Sequence, residues 1–130
     1  MNNKIKWHRV HLCTMPFLFG VILMIRTSYT SGKLTVKLYG ELDQHSARDF
    51  LVSINDAIDS VLPKELTLDM TELGFMDSSG IALIIKCNRK MLQLGGRMLI
   101  EAPRSQPLKV IDASGIDRLI PVTVRREVTT

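Results

Sequence analysis

Four short segments of the chain are rich in apolar or β-branched residues, and this pattern predicts β-strands. They are residues 33–39, 66–70, 97–102 and 122–124. The first gives the clearest signal, because Leu34, Val36 and Leu38 alternate with polar residues and so share one face of an extended segment. Residues 66–70 are apolar enough for an inner strand. We therefore predict one half-buried strand and three further strands in a common sheet.

Between these strands, apolar residues recur every three or four positions, which predicts amphipathic helices. The predicted helices are residues 47–62, 78–94 and 107–114. Ser46 is a suitable N-cap for the first helix, and Pro63 ends it. Gly95 and Gly96 end the second helix, and Gly115 ends the third.

The alternation of strands and helices predicts an α/β fold in which helices pack against one sheet. Residues 33–70 and 66–102 each read as a strand–helix–strand unit, which is a right-handed parallel crossover when its strands share a sheet. Gly40 ends the first strand, and residues 41–45 and 71–77 are predicted as connecting loops.

The first thirty residues differ from the rest of the chain. A basic, aromatic opening precedes an apolar run at residues 12–25, which Pro16 and Gly20 interrupt. This run is shorter than the ~20 residues that a helix needs to cross a bilayer. Three interpretations stay open: a start placed too early, with Met24 as the native first residue; a peripheral membrane-binding extension; and a signal peptide or anchor. We assign residues 1–30 to this extension and 31–130 to a single domain.

The charge of the chain follows the same division. The 130 residues carry a net charge of +4, which invites a nucleic-acid interpretation. However, residues 1–23 contain Lys4, Lys6 and Arg9 and no acidic residue, so most of the excess lies there. The remaining domain is nearly neutral and has no basic stripe, which argues against nucleic-acid binding.

The most informative segment is Phe-Met-Asp-Ser-Ser-Gly at residues 75–80, which places two hydroxyls at the start of the second helix. Unpaired N–H groups and the helix dipole tolerate an anion at such a position. A phosphate on Ser78 would add about two negative charges beside Asp77 while leaving the helix intact. From the residues alone, a simple helix cap is the alternative.

Several short pieces, taken in order, resemble the STAS domain of anti-sigma factor antagonists, especially those of sporulation and stress response in Gram-positive bacteria. They are Gly-Glu-Leu-Asp at 40–43, the segment at 75–80, Gly-Gly at 95–96 and Asp-Ala-Ser-Gly-Ile at 112–116. The resemblance runs from about residue 33 to residue 124. It implies a mixed sheet of four or five strands with helices packed mainly on one face.

The resemblance also implies a partner-switching cycle. The unphosphorylated protein would bind an anti-sigma factor that is a Ser/Thr kinase, and would thereby release a sigma factor. Phosphorylation of Ser78, the first serine of the motif, would abolish that binding, and a metal-dependent Ser phosphatase would restore it. The resemblance thus implies a cytoplasmic regulator of transcription that is a substrate of enzymes rather than an enzyme.

Five residues are candidates for partner binding: Asp43, Asp77, Ser78, Ser79 and Gly80. The resemblance implies that Asp43 docks the kinase or arranges the serine hydroxyl. The alternative, that Asp43 is a turn residue that caps the next helix, stays open. Ser79 is interpreted as a cap or an early helix residue, and the alternative is a second phosphorylation site. Gly80 either lets a partner backbone approach or fits the first helical turn.

The sequence predicts neither a cofactor nor a metal site. Cys13 and Cys87 fit a reducing compartment, and the three histidines lack metal-ligand spacing. Lys86, Arg89 and Lys90 form a small basic face that is either solvated or docks an acidic partner. An alternative function is a STAS subunit of a lipid-transport or transporter complex, with the apolar N-terminus near a membrane.

Overall fold

A mixed β-sheet forms the centre of the molecule, and three helices pack against it in this computed structural model. The structure describes residues 6–7, 11–12 and 24–124. The strands are β1 (Lys6–Trp7), β2 (His11–Leu12), β3 (Met24–Thr30), β4 (Lys33–Leu38), β5 (Gly40–Leu42), β6 (Glu65–Asp69), β7 (Leu73–Met76), β8 (Arg97–Glu101) and β9 (Val122–Thr123). The helices are α1 (Ala47–Val61), α2 (Ser78–Gln93) and α3 (Ser105–Ser114).

The strands of the main sheet follow the order β3-β4-β6-β8-β9, and β1 and β2 both pair with the outer edge of β3. Strands β4, β6, β8 and β9 are mutually parallel, β3 is antiparallel to β4, and β1 and β2 are antiparallel to β3. Val36, Leu68 and Ile100 are aligned across the parallel strands and are fully buried. The predicted α/β class, with a mixed sheet and helices mainly on one face, is confirmed.

Strand β3 consists of residues that the sequence analysis assigned to the N-terminal extension. It pairs with β4 through a tight turn at Ser31 and Gly32, both with positive φ. Ile25 is only 2% exposed, yet the buried positions that follow are Thr27 and Ser28. Because two of the buried side chains are polar, the hydrophobic alternation that would have predicted this strand is absent.

Two further strands, β5 and β7, lie where the sequence predicted loops at residues 41–45 and 71–77. They form a separate parallel pair in which Leu42 and Met76 are opposite one another and fully buried. Gly40 has a φ of +97°, a conformation that favours glycine, and it lets the chain turn from β4 into β5. This small sheet carries the ends of its two strands to one edge of the molecule.

The helix boundaries agree closely with the sequence pattern. Helix α1 ends at Val61, with Leu62 in the left-handed conformation before Pro63. Helix α3 begins at Ser105, so Pro107 lies in its first turn, where a missing N–H costs no helical hydrogen bond.

Residues 13–23, most of the apolar run, lie outside the described residues. The three interpretations of that run, and the proposed boundary of the extension, stay predictions. In the portion of the chain that is described, no helix is both long and apolar enough to cross a bilayer.

Candidate functional site

Helix α2 begins immediately after β7, and Asp77 is its N-cap. The backbone of Asp77 is extended, and its carboxylate accepts a hydrogen bond from the N–H of Ser79 at 2.7 Å. The carbonyl of Asp77 also accepts from the N–H of Gly80 at 2.9 Å. Asp77 therefore satisfies two of the N–H groups at the start of the helix that would otherwise have no partner.

Ser78 is the first residue of α2 and is exposed to solvent. Its hydroxyl makes no hydrogen bond to any other residue in the described part of the chain. Ser79 is the second residue of the helix and is half-buried, with its N–H bonded to Asp77. Of the two hydroxyls, that of Ser78 is thus the more accessible to another protein.

Asp43 lies in the turn between β5 and α1. Its carboxylate accepts hydrogen bonds from the N–H groups of His45 at 2.9 Å and Ser46 at 3.0 Å. The N–H of Asp43 in turn donates to the Ser46 hydroxyl at 3.1 Å. The hydrogen bond from the Ser46 N–H, aided by that from His45, lowers the pKa of the Asp43 carboxyl below its ordinary value.

Ser46 occupies the predicted N-cap position of α1 but makes no side-chain cap hydrogen bond. Its hydroxyl instead donates to the carbonyl of Glu41 at 2.7 Å. The carboxylate of Asp43 therefore organises the entry into α1, which is the role of a turn residue. Its docking role stays a prediction.

Asp43 and Asp77 follow neighbouring strands at the same edge of the small sheet. The N–H of Asp77 donates to the carbonyl of Leu42 at 3.2 Å, which fixes the two strand ends beside each other. The sheet thus brings the turn at Asp43 and the start of α2 at Ser78 to one edge, although 35 residues separate them in sequence.

Gln106, in the first turn of α3, is a site-supporting residue that sequence analysis missed. Its Oε1 accepts from the N–H of Met76 at 2.8 Å, and its Nε2 donates to the carbonyl of Met76 at 3.0 Å. Strand β5 covers only one edge of β7, so the backbone groups of Met76 face the other edge. Gln106 supplies the hydrogen bonds that a second neighbouring strand would have made.

Gly80 is buried beneath this surface. A Cβ atom added to it would lie 2.2 Å from Cγ of Met76 and 3.1 Å from Cδ2 of Leu42. The absence of a side chain therefore lets α2 approach the small sheet closely. The space beside Gly80 is filled by the chain itself, and its predicted contact with a partner stays a prediction.

An exposed aromatic ring lies beside the start of α2. Phe75 is 37% exposed and is opposite Glu41 in the small sheet. We call the surface formed by Glu41, Asp43, Phe75, Asp77 and Ser78 the switch surface. It combines one apolar ring, three carboxylates and one accessible hydroxyl, a composition suited to docking a protein and to accepting a phosphoryl group.

Neither a metal-binding cluster nor the predicted basic face lies at the switch surface in the described part of the molecule. No three His, Cys, Asp or Glu side chains among those residues group so as to hold a metal ion. Of the predicted basic face, Lys90 pairs with Asp59 at 2.8 Å, and Lys86 and Arg89 are exposed further along α2.

The sequence of this chain is similar to a known protein family and to proteins of known name. The family model described as the STAS domain matches residues 24–129, so the match begins where β3 begins. The anti-sigma F factor antagonist of Paenibacillus polymyxa is 30% identical over 100 residues, which cover 77% of this chain and 86% of that protein.

Two solved structures share the fold at 25% sequence identity. The anti-sigma factor antagonist SpoIIAA in its unphosphorylated form superposes with a TM-score of 0.65 at 25% identity, covering 75% of this chain and 86% of that one. The Bacillus cell fate determinant SpoIIAA in the phosphorylated form superposes with a TM-score of 0.58 at 25% identity, and the match covers 75% of this chain and 89% of that one.

Proposed function

This chain belongs to the STAS domain family, and on that premise we propose that it is an anti-sigma factor antagonist switched by phosphorylation. Unphosphorylated, it binds a kinase-type anti-sigma factor and frees the sigma factor. Phosphorylation of Ser78 ends that binding, and a metal-dependent Ser phosphatase reverses it in the cytoplasm. The relative from Paenibacillus polymyxa supports the antagonist role, and the similar SpoIIAA exists in phosphorylated and unphosphorylated forms.

The exposure of the Ser78 hydroxyl at the start of α2 is the observation that carries this proposal. A kinase needs a hydroxyl that it can reach without unfolding its substrate. Ser78 meets this need because its backbone is fixed by the helix while its side chain is free of hydrogen bonds to the other described residues. Ser79, one residue later, is half-buried and therefore less suited to the reaction.

The effect of a phosphoryl group follows from the charges already present. Phosphorylation adds about two negative charges at pH 7. Asp77 already occupies the N–H of Ser79, and Asp43 lies at the same edge of the small sheet. Two like charges 4 Å apart repel by about 4 kcal/mol at an effective dielectric constant of 20. The phosphate therefore faces solvent, where it repels an acidic partner and displaces apolar contacts at Phe75.

The contact with the anti-sigma factor comprises the switch surface together with Ser79, and Gly80 lies beneath this contact, where it lets α2 approach the small sheet. The apolar ring of Phe75 supplies buried area at the centre, since aromatic side chains dominate many interfaces. The carboxylates of Asp43 and Asp77 fix the orientation of the partner by accepting hydrogen bonds from its uncharged donor groups. Because all of these lie on rigid elements, the switch alters a contact and leaves the fold unchanged.

Incubation with a kinase-type anti-sigma factor and ATP tests the phosphorylation site. We would use the purified anti-sigma F factor of Paenibacillus polymyxa, the partner class that the name of the relative implies. Mass spectrometry is expected to find one phosphate, on Ser78, and Ser78→Ala is expected to remain unlabelled. The matched control Ser79→Ala should be labelled like the wild type. Labelling of Ser78→Ala at the wild-type rate would overturn the assignment.

Calorimetry with the same anti-sigma factor and a nucleotide tests the switch. We expect Ser78→Asp to weaken binding at least tenfold while its circular dichroism and melting temperature match those of the wild type. Ser79→Asp, which adds the same charge one residue further into the helix, should weaken binding less. Equal affinities for Ser78→Asp and the wild type would contradict electrostatic switching.

A further inference from the structure

Exposed apolar side chains concentrate on the outer surface of α1 and α2. Among the described residues, eight large hydrophobic side chains are exposed, and five belong to these helices or to the residues just after them. They are Val52, Leu62, Ile85, Leu92 and Leu94. We call the exposed surface of α1 and α2 the helical face. These five side chains give the helical face apolar surface that a partner could bury.

The charges of the helical face are divided between its two helices. Helix α1 exposes Asp56 and Asp59 in its second half, whereas α2 exposes Lys86 and Arg89. Lys90 pairs with Asp59 across the groove between the helices at 2.8 Å. Asp56, Lys86 and Arg89 form no ion pair with any other residue of 24–124. The α1 side of the helical face is thus acidic and the α2 side is basic, and each side has charged residues outside the Asp59–Lys90 ion pair.

We propose that the helical face binds a second copy of this chain through a two-fold axis that runs along the groove between α1 and α2. A surface with an acidic half and a basic half is complementary to itself when a two-fold axis separates the halves. Rotation about that axis sets α1 of one copy against α2 of the other. The second copy is therefore an occupant whose charges match on both sides. This inference does not depend on the proposed function.

The positions of residues along the common direction of α1 and α2, here called their heights, identify which residues meet in the dimer. Both helices return between parallel strands, so they run side by side in the same direction. The Asp59–Lys90 pair aligns each residue of α1 with the residue 31 positions later in α2. A two-fold rotation preserves height along its axis. Asp56 of one copy therefore lies opposite the level of Cys87, between Lys86 and Arg89 of the other.

The same alignment brings apolar groups together. Val52, which is 52% exposed, lies at the level of Leu83 and so opposite the turn of α2 that ends at Ile85, which is 41% exposed. Each copy makes the same contacts with the other, so the apolar contact of Val52 with Ile85 and the contact of Asp56 with Lys86 and Arg89 each occur twice. The apolar contacts lie nearer the start of α2 and the charge pairs nearer its end.

The area of the helical face sets the strength of this association. Two helices of about 22 Å by 10 Å offer roughly 450 Å², about half of the ~800 Å² per partner in stable interfaces. The dimer is therefore weak and concentration-dependent. Because Ala82, one turn after Ser78, lies within the face, a partner docked on the switch surface competes with the second copy.

Sedimentation velocity of the full chain at increasing concentration tests the proposal. A monomer–dimer equilibrium is expected, with Asp56→Lys and Arg89→Glu each raising the dissociation constant at least tenfold. An equimolar mixture of these two variants should dimerise like the wild type, because both of its charge pairs are again opposite in sign. The controls Asp112→Lys and Lys109→Glu make the same charge changes at exposed positions of α3 and should leave the equilibrium unchanged.

Four outcomes would overturn the inference. The chain could sediment as a monomer at every concentration. Asp56→Lys and Arg89→Glu could dimerise like the wild type, which would place the contact elsewhere, or the α3 controls could weaken it equally. Finally, both variants could weaken association while their mixture fails to restore it, which would mean that the two charges do not face each other.

Discussion

Gln106 and Met76 are joined by two hydrogen bonds across 30 positions of sequence: the backbone N–H of Met76 donates to Oε1 of Gln106, and Nε2 of Gln106 donates to the backbone carbonyl of Met76. The contact ties α3 to the last residue of β7, one residue before the N-cap of α2. The position of the start of α2 therefore depends in part on a contact made by α3, which comes later in the chain.

Replacing Gln106 with alanine should destabilise this edge of the molecule. The N–H and carbonyl of Met76 would lose their partners in a half-buried position, and an unsatisfied group of this kind costs about 1–3 kcal/mol. Urea denaturation should show a loss in that range, and hydrogen exchange at the Met76 amide should accelerate. The control Gln93→Ala removes an exposed glutamine from α2 and should change stability little. Equal stability of both variants would contradict a supporting role for Gln106.

Gly80→Ala should be costly, whereas Gly74→Ala should be tolerated. The added Cβ at position 80 would lie 2.2 Å from Cγ of Met76, but at position 74 the nearest atom is the carbonyl oxygen of Gly40 at 3.8 Å. Overpacking of this kind costs about 1–3 kcal/mol. Thermal and urea unfolding of the two variants measure the difference. If Gly80→Ala matches Gly74→Ala, the packing of α2 on the small sheet is looser than described.

Two substitutions at Asp77 separate its cap from its charge. Asp77→Ala removes the acceptor for the Ser79 N–H and should cost about 1 kcal/mol of unfolding free energy. Asp77→Asn keeps an oxygen that can cap the helix and should cost less. Chemical denaturation measures both, and calorimetry with an anti-sigma factor then reports the charge alone through the asparagine variant. Asparagine as costly as alanine would argue against the cap.

The acid stability of the protein should depend on Asp43. The hydrogen bond from the Ser46 N–H lowers the pKa of this carboxyl in the folded state below its ordinary value. Its contribution to stability is therefore complete above that value and is lost as the pH falls through the folded pKa. Urea titrations between pH 5 and pH 2 should show a shallower acid loss for Asp43→Asn. Carbon NMR titration of the Asp43 carboxyl provides the direct check.

The thiol of Cys87 should resist alkylation in the folded protein. Its side chain is fully buried, and burial raises the pKa of the thiol to about 12, so almost no thiolate exists at pH 8. Iodoacetamide followed by peptide mass mapping should find Cys87 unmodified until denaturant is added. Rapid labelling under native conditions would reveal an opening of α2 away from the sheet.

Much of this fold follows from local hydrophobic periodicity. The strands at Leu34, Leu66 and Met98 and all three helices were predicted within two residues, because their buried side chains repeat at strand or helix spacing. Strand β3 was not predicted, because the polar residues Thr27 and Ser28 occupy buried positions and interrupt the hydrophobic pattern. Strands β5 and β7 were not predicted, because they are short and partly exposed and form only by pairing with each other across about 30 residues.

The candidate site divides in the same way. The position of Ser78 at a helix start was predictable, since Asp77 and the serines are strong local capping signals. The support from Gln106 was not, because a glutamine in a first helical turn carries no sign that its partner is a distant backbone. Gly80 gave an ambiguous signal, and only the packing of Met76 and Leu42 explains why a side chain has no room there.

The hydrogen bond from the Ser79 N–H to Asp77 bears on how long a phosphorylation signal would last. With that donor already occupied, a phosphoryl group on Ser78 would gain no hydrogen bond from the Ser79 N–H. Because uncatalysed hydrolysis of a phosphate monoester is extremely slow, the lifetime of the phosphoryl group would depend on the concentrations of the enzymes that add and remove it. The protein would hold no memory of past signals, and its state would report the current balance of kinase and phosphatase.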